Sequence, residues 1–69
     1  MNRNKLLAIM AEHGDRSKSL AAFLQISPQT FSAKLNQKGT SDFTLSEVRK
    51  IKEKYNLDDQ QIAAIFFMV

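Results

Sequence analysis

The stretch LQISPQTFSAKLNQKG, residues 24–39, contains the only proline of the chain and predicts how its helices connect. Pro28 has no N–H to donate and a fixed φ, so it suits the first turn of a helix rather than the middle of one. Ser27, immediately before it, is a preferred N-cap. We therefore expect Ser27-Pro28 to begin a helix. Because only Gln25, Ile26 and Ser27 separate it from the apolar helical pattern before it, the two helices are expected to form a helix-turn-helix corner.

Two helices are predicted before this third one. Apolar residues at helical spacing indicate a first helix over about residues 2–13, which Gly14 ends. A second helix is predicted over about residues 17–24, and either Asp15 or Ser17 is expected to cap it.

Two further helices are predicted from capping boxes. Thr44 is followed three residues later by Glu47, and Asp58 is followed by Gln61. Alternating strand patterns, hairpin dipeptides and internal repeats are missing from the sequence. We therefore predict an all-α fold, with five short helices in one domain over residues 1–69. The side chains expected in its core include Leu6, Met10, Leu20, Ala21, Phe23, Leu24, Phe31, Leu35, Phe43, Leu45, Val48, Ile51, Tyr55, Ile62, Ile65 and Phe66.

The predicted third helix has an apolar side and a polar side. On a helical wheel, Phe31 and Leu35 share the side that faces the core. The opposite side and its flanks hold Gln29, Ala33, Gln37, Thr30 and Asn36. A glutamine can bond to adenine bidentately, and a small apolar side chain can contact a thymine methyl. This face favours base reading in a DNA groove, and the alternative is an ordinary solvated helix face.

Positive charge is concentrated in the first half of the sequence. Six basic and two acidic residues give residues 1–38 a charge of +4, whereas four basic and five acidic residues give residues 39–69 a charge of −1; together these make the net +3. No acidic residue occurs over residues 16–41, whose cations are Arg16, Lys18, Lys34 and Lys38. This distribution favours contact with a polyanion, although it is also compatible with a solvated basic surface.

The stretches LAAFLQIS, residues 20–27, and PQTFSAKLNQKG, residues 28–39, together resemble the helix-turn-helix family of phage Cro proteins and CI-type repressors, the XRE-like family. The first resembles that family's second helix and turn, and the second resembles its recognition helix and exit. Small members of the family have five helices in about this length, so the resemblance covers residues 1–69. It implies a lambda-repressor-like DNA-binding domain with the recognition helix, about 28–37, in the major groove.

By position, the resemblance implies which residues contact DNA. It places Pro28, Gln29 and Ala33 against base edges, with Thr30 and Ser32 close by. Together with the basic Lys34, the residues expected at phosphates are Ser17, Lys18, Asn36, Lys38, Thr40 and Ser41.

Three positions differ from the family pattern. Gln25 stands in the turn where relatives often have Gly, so a left-handed conformation there would be strained. Met10 and Leu35 occupy positions where some phage repressors pair a buried Arg with a Glu. Pro28 cannot hydrogen-bond to a base, so base reading depends chiefly on Gln29 and partly on DNA shape.

Other chemistry-bearing residues favour structural roles. His13 has no second metal ligand nearby and is expected at the end of the first helix. Asp58 and Asp59 stand at a helix start, which is typical of caps rather than of an acid–base pair. Phe43 resembles the family's loop anchor. The cations at positions 49, 50, 52 and 54 are interspersed with Glu47 and Glu53, and we interpret them as a solvated face rather than a second basic patch.

The C-terminal segment carries more apolar surface than one helix face can bury. Exposed apolar patches often mark partners. We predict a homodimer that places two recognition helices about one DNA turn apart, roughly 34 Å. The alternatives are a tail folded over the core and, as a different function, a helical protein–protein interaction module using this segment. The residues predicted at the dimer interface are Leu57, Phe66, Phe67, Met68 and Val69.

The sequence contains no nucleophile–base constellation, glycine-rich phosphate loop or cysteine. We therefore expect no enzyme, cofactor, metal or small-molecule substrate. The longest apolar run, residues 62–69, is far shorter than the roughly 20 residues of a membrane helix, and no signal peptide is expected. The predicted function is a transcriptional regulator that binds double-stranded operator DNA in the bacterial cytoplasm, at the nucleoid.

Overall fold

The computed structural model describes residues 1–37, 39 and 42–67, and every regular element within them is helical. This confirms the predicted all-α fold of five helices for the described residues. The bounds predicted for the first three helices agree with the structure to within two residues. The elements are α1 (Arg3–Glu12), α2 (Ser17–Phe23), α3 (Pro28–Leu35), α4 (Leu45–Tyr55) and α5 (Asp59–Ile62), which continues as a π-helical segment, Ala63–Phe67.

Local signals at the helix ends explain most of these boundaries. Ser27, Thr44 and Asp58 each accept a hydrogen bond from a backbone N–H three residues further on. At α4 and α5 the reciprocal bond back to the cap is also present, so both predicted capping boxes are confirmed. Gly14, with φ 72°, takes the left-handed conformation just after α1, as predicted, and Asn56, with φ 53°, does so just after α4.

The start of α2 differs from the prediction. Neither Asp15 nor Ser17 caps this helix, because the N-cap residue is Arg16 and its side chain makes no capping bond. Asp15 Oδ2 instead accepts a hydrogen bond from the Tyr55 hydroxyl at 2.7 Å and lies 3.6 Å from Lys54 Nζ. A tertiary contact therefore replaces the expected local one, and it fastens the α1–α2 connection to α4.

All five helices contribute to one apolar core. Its buried members are Leu6, Met10, Leu20, Ala21, Leu24, Phe31, Leu35, Phe43, Val48, Ile51, Tyr55, Leu57, Ile62 and Ile65. The ring of Phe43 packs edge-on against Phe31 and Phe66, with ring centres 5.7 Å apart in both pairs. This side chain therefore anchors the segment between α3 and α4, as expected.

Two side chains expected in the core lie at the surface. Phe23 is 43% exposed and Leu45 is 63% exposed, so both predictions are wrong. Helical periodicity places each residue on an apolar side, but it does not say whether a neighbouring helix covers that point. Lys54 Nζ lies 4.7 Å from the centre of the Phe23 ring, at a distance typical of a cation–π contact.

The beginning of the chain packs against its π-helical segment. The Asn2 N–H donates to the Ile65 carbonyl, which joins the N-cap of α1 to the segment that follows α5. Met1, Leu7 and Ile9 pack partly buried against the same core. α1 thus packs against the C-terminal segment, and α2 packs closely against α3.

Candidate nucleic-acid interface

The connection between α2 and α3 closes around a left-handed residue. Gln25 has φ 62°, the strained conformation considered for this position. Its N–H donates to the Ala22 carbonyl at 3.1 Å, and the Ile26 N–H donates to the Ala21 carbonyl at 3.0 Å. This Schellman pattern ends one helix and redirects the chain. Because α3 begins at Pro28, residues 24–27 alone join the two helices.

The first turn of α3 is open to solvent. Pro28, Gln29 and Thr30 are all exposed. Ser27 Oγ accepts from the Thr30 N–H at 3.1 Å and donates to Thr30 Oγ1 at 2.8 Å, which fixes the orientation of both hydroxyls. Among the described residues Gln29 has no side-chain hydrogen-bond partner, so its amide is available to a ligand.

The second turn of α3 divides between core and surface. Phe31 and Leu35 are buried, as predicted, whereas Ser32 is exposed and Ala33 is half-buried. Asn36, which caps the end of the helix, donates from Nδ2 to the Ser32 carbonyl at 2.9 Å. The five residues predicted at base edges therefore lie along one helix, and four of them are exposed.

Lys34 is placed differently from the other residues predicted at phosphates. Its Nζ donates to Glu47 Oε1 at 2.7 Å, and the two side chains are only 13% and 10% exposed. Glu47 is the one buried charged residue among those that the structure describes. Its Oε1 also accepts from the Thr44 N–H at 2.8 Å. Burial alone would raise the pKa of Glu47, but the bonds from Lys34 and Thr44 outweigh it and hold that pKa below its usual value.

The remaining residues predicted at phosphates lie at both ends of the α2–α3 unit. Lys18, in the first turn of α2, is exposed, and Ser17 is half-buried. Asn36 is exposed just beyond α3, and Arg16 is exposed at the α2 N-cap. The residues of this set that lie outside the described ones are Lys38, Thr40 and Ser41.

A second polar cluster, which the sequence did not predict, holds the start of α2 against α4. The hydrogen bond from Tyr55 is the main reason that the pKa of Asp15 lies below its usual value, and Lys54 lowers it further. Burial, together with the bond to Asp15, raises the pKa of Tyr55. His13, the C-cap of α1, packs against Tyr55 with ring centres 4.8 Å apart and the ring planes tilted by 43°. These contacts hold the connection before α2 against α4.

The cations of α4 are only partly the solvated face that their pattern predicts. Arg49 is exposed, but Lys52 pairs with Asp59 of α5, and Lys54 pairs with Asp15. The bond from Lys52 lowers the pKa of Asp59. Both lysines therefore join α4 to neighbouring parts of the fold.

The C-terminal segment leaves apolar surface open. Phe67 is 67% exposed and Phe66 is half-buried. Leu57, predicted at a dimer interface, is 8% exposed and belongs to the core, so it offers little area to a partner. A groove of about 390 Å³ between α1 and α5 is lined by Ile9 and Ala64 among others. The last two residues of the predicted interface, Met68 and Val69, lie outside the described ones.

No protein-family model, curated protein or solved structure significantly matches this sequence. In the part of the chain that the structure describes, no three His, Cys, Asp or Glu side chains are grouped as metal ligands. Within the same residues, no helix is both long enough and apolar enough to cross a bilayer. Support for a function therefore comes from the chemistry of the α2–α3 corner.

Proposed function

We propose that this chain is a double-stranded DNA-binding domain of the helix-turn-helix class, with α3 as the recognition helix in the major groove. The observation that carries the proposal is the four-residue Schellman turn that joins α2 to an α3 whose first turn is exposed and free of acidic residues. A major groove admits one α-helix, and the N-terminal residues of that helix meet the base edges.

Gln29 is the main base-reading residue in this proposal. Its exposed amide can donate to one atom of adenine and accept from another, which distinguishes adenine from the other bases. Thr30 and Ser32 add hydroxyls beside it, whereas Pro28 and Ala33 supply apolar contact. Because so few side chains read bases directly, sequence-dependent DNA shape supplies part of the specificity.

Phosphate contacts fix the register of the helix in the groove. Lys18 and Ser17 lie at the start of α2, and Asn36 lies just beyond α3, so the set brackets the recognition helix. Lys38, Thr40 and Ser41 extend this set along the sequence. Such contacts carry affinity and salt dependence rather than sequence information.

Within this class, the chain fits a small phage repressor or Cro-like transcriptional regulator. Support comes from the resemblance of residues 20–39 to that family and from the five-helix fold. We place its action on operator DNA in the bacterial cytoplasm, as a homodimer joined through the exposed C-terminal apolar surface. It needs no cofactor and catalyses no reaction in this proposal.

Selection of bound duplexes from a random pool tests the proposed function. The expected result is one enriched motif, bound about 10³-fold or more tightly than unrelated DNA at the same salt concentration. Equal affinity for all duplexes, or failure to bind any, would contradict the proposal.

A second candidate function is a helical interaction module, and the 67% exposure of Phe67 favours it. Such a module would use the apolar C-terminal surface and would not need Gln29. The test is to pull down a protein partner with the wild-type chain and to repeat this with Phe67→Ser. A partner that the wild type binds and the variant loses supports this function only if the duplex selection finds no motif.

A further inference from the structure

Lys34 and Glu47 connect the two helices that flank the segment from 36 to 44. Lys34 lies in the last turn of α3, and Glu47 lies in the first turn of α4. Their bond spans 13 residues of sequence and is almost fully enclosed. A buried ion pair of this kind does little for net stability compared with apolar residues, but removing one partner leaves an uncompensated charge.

Glu47 also holds the backbone at the start of α4. The same oxygen, Oε1, accepts from both Lys34 Nζ and the Thr44 N–H, while the Glu47 N–H donates to Thr44 Oγ1 at 3.2 Å. The capping box of α4 and the end of α3 therefore share one carboxylate. Because Phe43 packs on Phe31 next to this site, the end of α3 has few ways to move against α4.

Resting on the proposed function, we propose that Lys34 and Glu47 are a positioning pair that sets the orientation of α3 in the groove, and that Lys34 is not a phosphate ligand. Two observations favour this role over the phosphate contact. The ammonium is already hydrogen-bonded to a carboxylate at 2.7 Å, and its side chain is 13% exposed, whereas Lys18 is open to solvent. Moving Lys34 to a phosphate would leave Glu47 buried without its cation.

The double variant Lys34→Met/Glu47→Met tests the pair without changing net charge. Apolar side chains of similar size fill the same space, and such replacements often keep the fold stable. At a temperature where circular dichroism shows the variant to be folded, we expect its preference for the selected duplex over random DNA to fall about tenfold, the size of one lost base contact. The wild-type salt dependence of binding should remain.

Lys18→Met is the matched control for salt dependence. It should make the negative slope of log K against log salt shallower by about 0.9, the value for one phosphate contact, with the sequence preference retained. If the double variant makes the slope of log K against log salt as shallow as Lys18→Met does, Lys34 contacts a phosphate and the proposal is overturned. An unchanged sequence preference in the double variant would overturn it as well.

Hydrogen exchange supplies a readout that does not depend on DNA. In the double variant, and in the milder Glu47→Gln, the amides at the end of α3 should exchange several-fold faster than in the wild type, with those of α1 unchanged. Equal acceleration in all helices would mean a general loss of stability and would contradict positioning. If the wild-type chain selects no DNA while α3 alone is loosened, the proposed function fails but the mechanical role of the pair stands.

Discussion

Gln25, at the corner between α2 and α3, takes a backbone conformation that its own side chain disfavours. Its φ of 62° lies in the left-handed region, where a Cβ crowds the following carbonyl. The two Schellman hydrogen bonds, from its own N–H and from the Ile26 N–H back to α2, keep it there. The corner that gives α3 its exposure therefore includes one strained residue.

Gln25→Gly should stabilise the fold. Relief of the left-handed conformation is worth roughly 1–2 kcal/mol, and the greater freedom of glycine in the unfolded chain offsets about 0.5–1 kcal/mol of that. We expect a net gain of up to about 1.5 kcal/mol in the free energy of unfolding, measured by urea denaturation. Asn56→Gly, at φ 53°, is the matched control and should gain less, because asparagine tolerates this conformation. A loss of stability in Gln25→Gly would contradict this account of the turn.

The helices are fastened to one another by polar contacts placed around the apolar core. α4 is the centre of this arrangement, because Glu47 binds the end of α3 and Tyr55 binds the connection before α2. Lys52 adds a pair with Asp59 at the start of α5. One helix thus positions both elements of the candidate interface.

These contacts predict an acid-sensitive fold. The pKa values of Asp15 and Glu47 lie below their ordinary 3.8 and 4.5, so the unfolded chain takes up protons first as pH falls. The stability from these carboxylates is therefore complete above the ordinary values and is lost as pH falls through the lowered ones. Urea denaturation at about pH 6 and about pH 3 should show this loss.

Tyr55→Phe isolates the contribution of Asp15 to the pH-dependent stability. It removes only the hydroxyl that is the main cause of the lowered pKa of Asp15. The variant should be less stable than the wild type at neutral pH, and the difference should narrow in acid. A difference that stays constant with pH would show that the bond does not act through the charge of Asp15.

The sequence predicted those features of the elements that depend on neighbours within a few residues. Ser27-Pro28 and the capping boxes at Thr44 and Asp58 are local patterns, so the helix starts that they predict are found where expected. The polar side of α3 also follows from periodicity alone, since Phe31 and Leu35 determine which side is buried.

The remaining features depend on residues that are distant in sequence. The local sequence predicts Asp15 as a cap, but its carboxylate accepts a hydrogen bond from Tyr55, 40 residues later. Glu47 stands close to the cations of α4 in the sequence, but it pairs with Lys34 of α3 inside the fold. Helical periodicity predicts that Phe23 is buried, but it carries no information on whether another helix covers that side chain. Composition does not say which of several lysines finds which carboxylate.

At the scale of the whole molecule, a dimer would double the base contacts that one short recognition helix can make. The described apolar surface suited to this is Phe67, next to the half-buried Phe66. Two copies joined there would present two α3 helices to half-sites on one face of the duplex.

Phe67→Ser should convert the protein from dimer to monomer in sedimentation equilibrium at micromolar concentration, because it removes the most exposed aromatic ring of the described residues. Leu45→Ser is the matched control, since it changes an equally exposed apolar side chain at the start of α4, and it should leave the dimer intact. A wild-type chain that stays monomeric with and without its selected duplex would contradict the homodimer.

Gln29→Ala tests most directly whether the exposed side of α3 reads base sequence. Titration of a labelled selected duplex, with random DNA as reference, should show a loss on the order of 1–3 kcal/mol on the selected site and a relaxed preference at one base pair. Gln60→Ala, an exposed glutamine of α5, should bind like the wild type. Unchanged affinity and preference in Gln29→Ala would contradict base reading by α3.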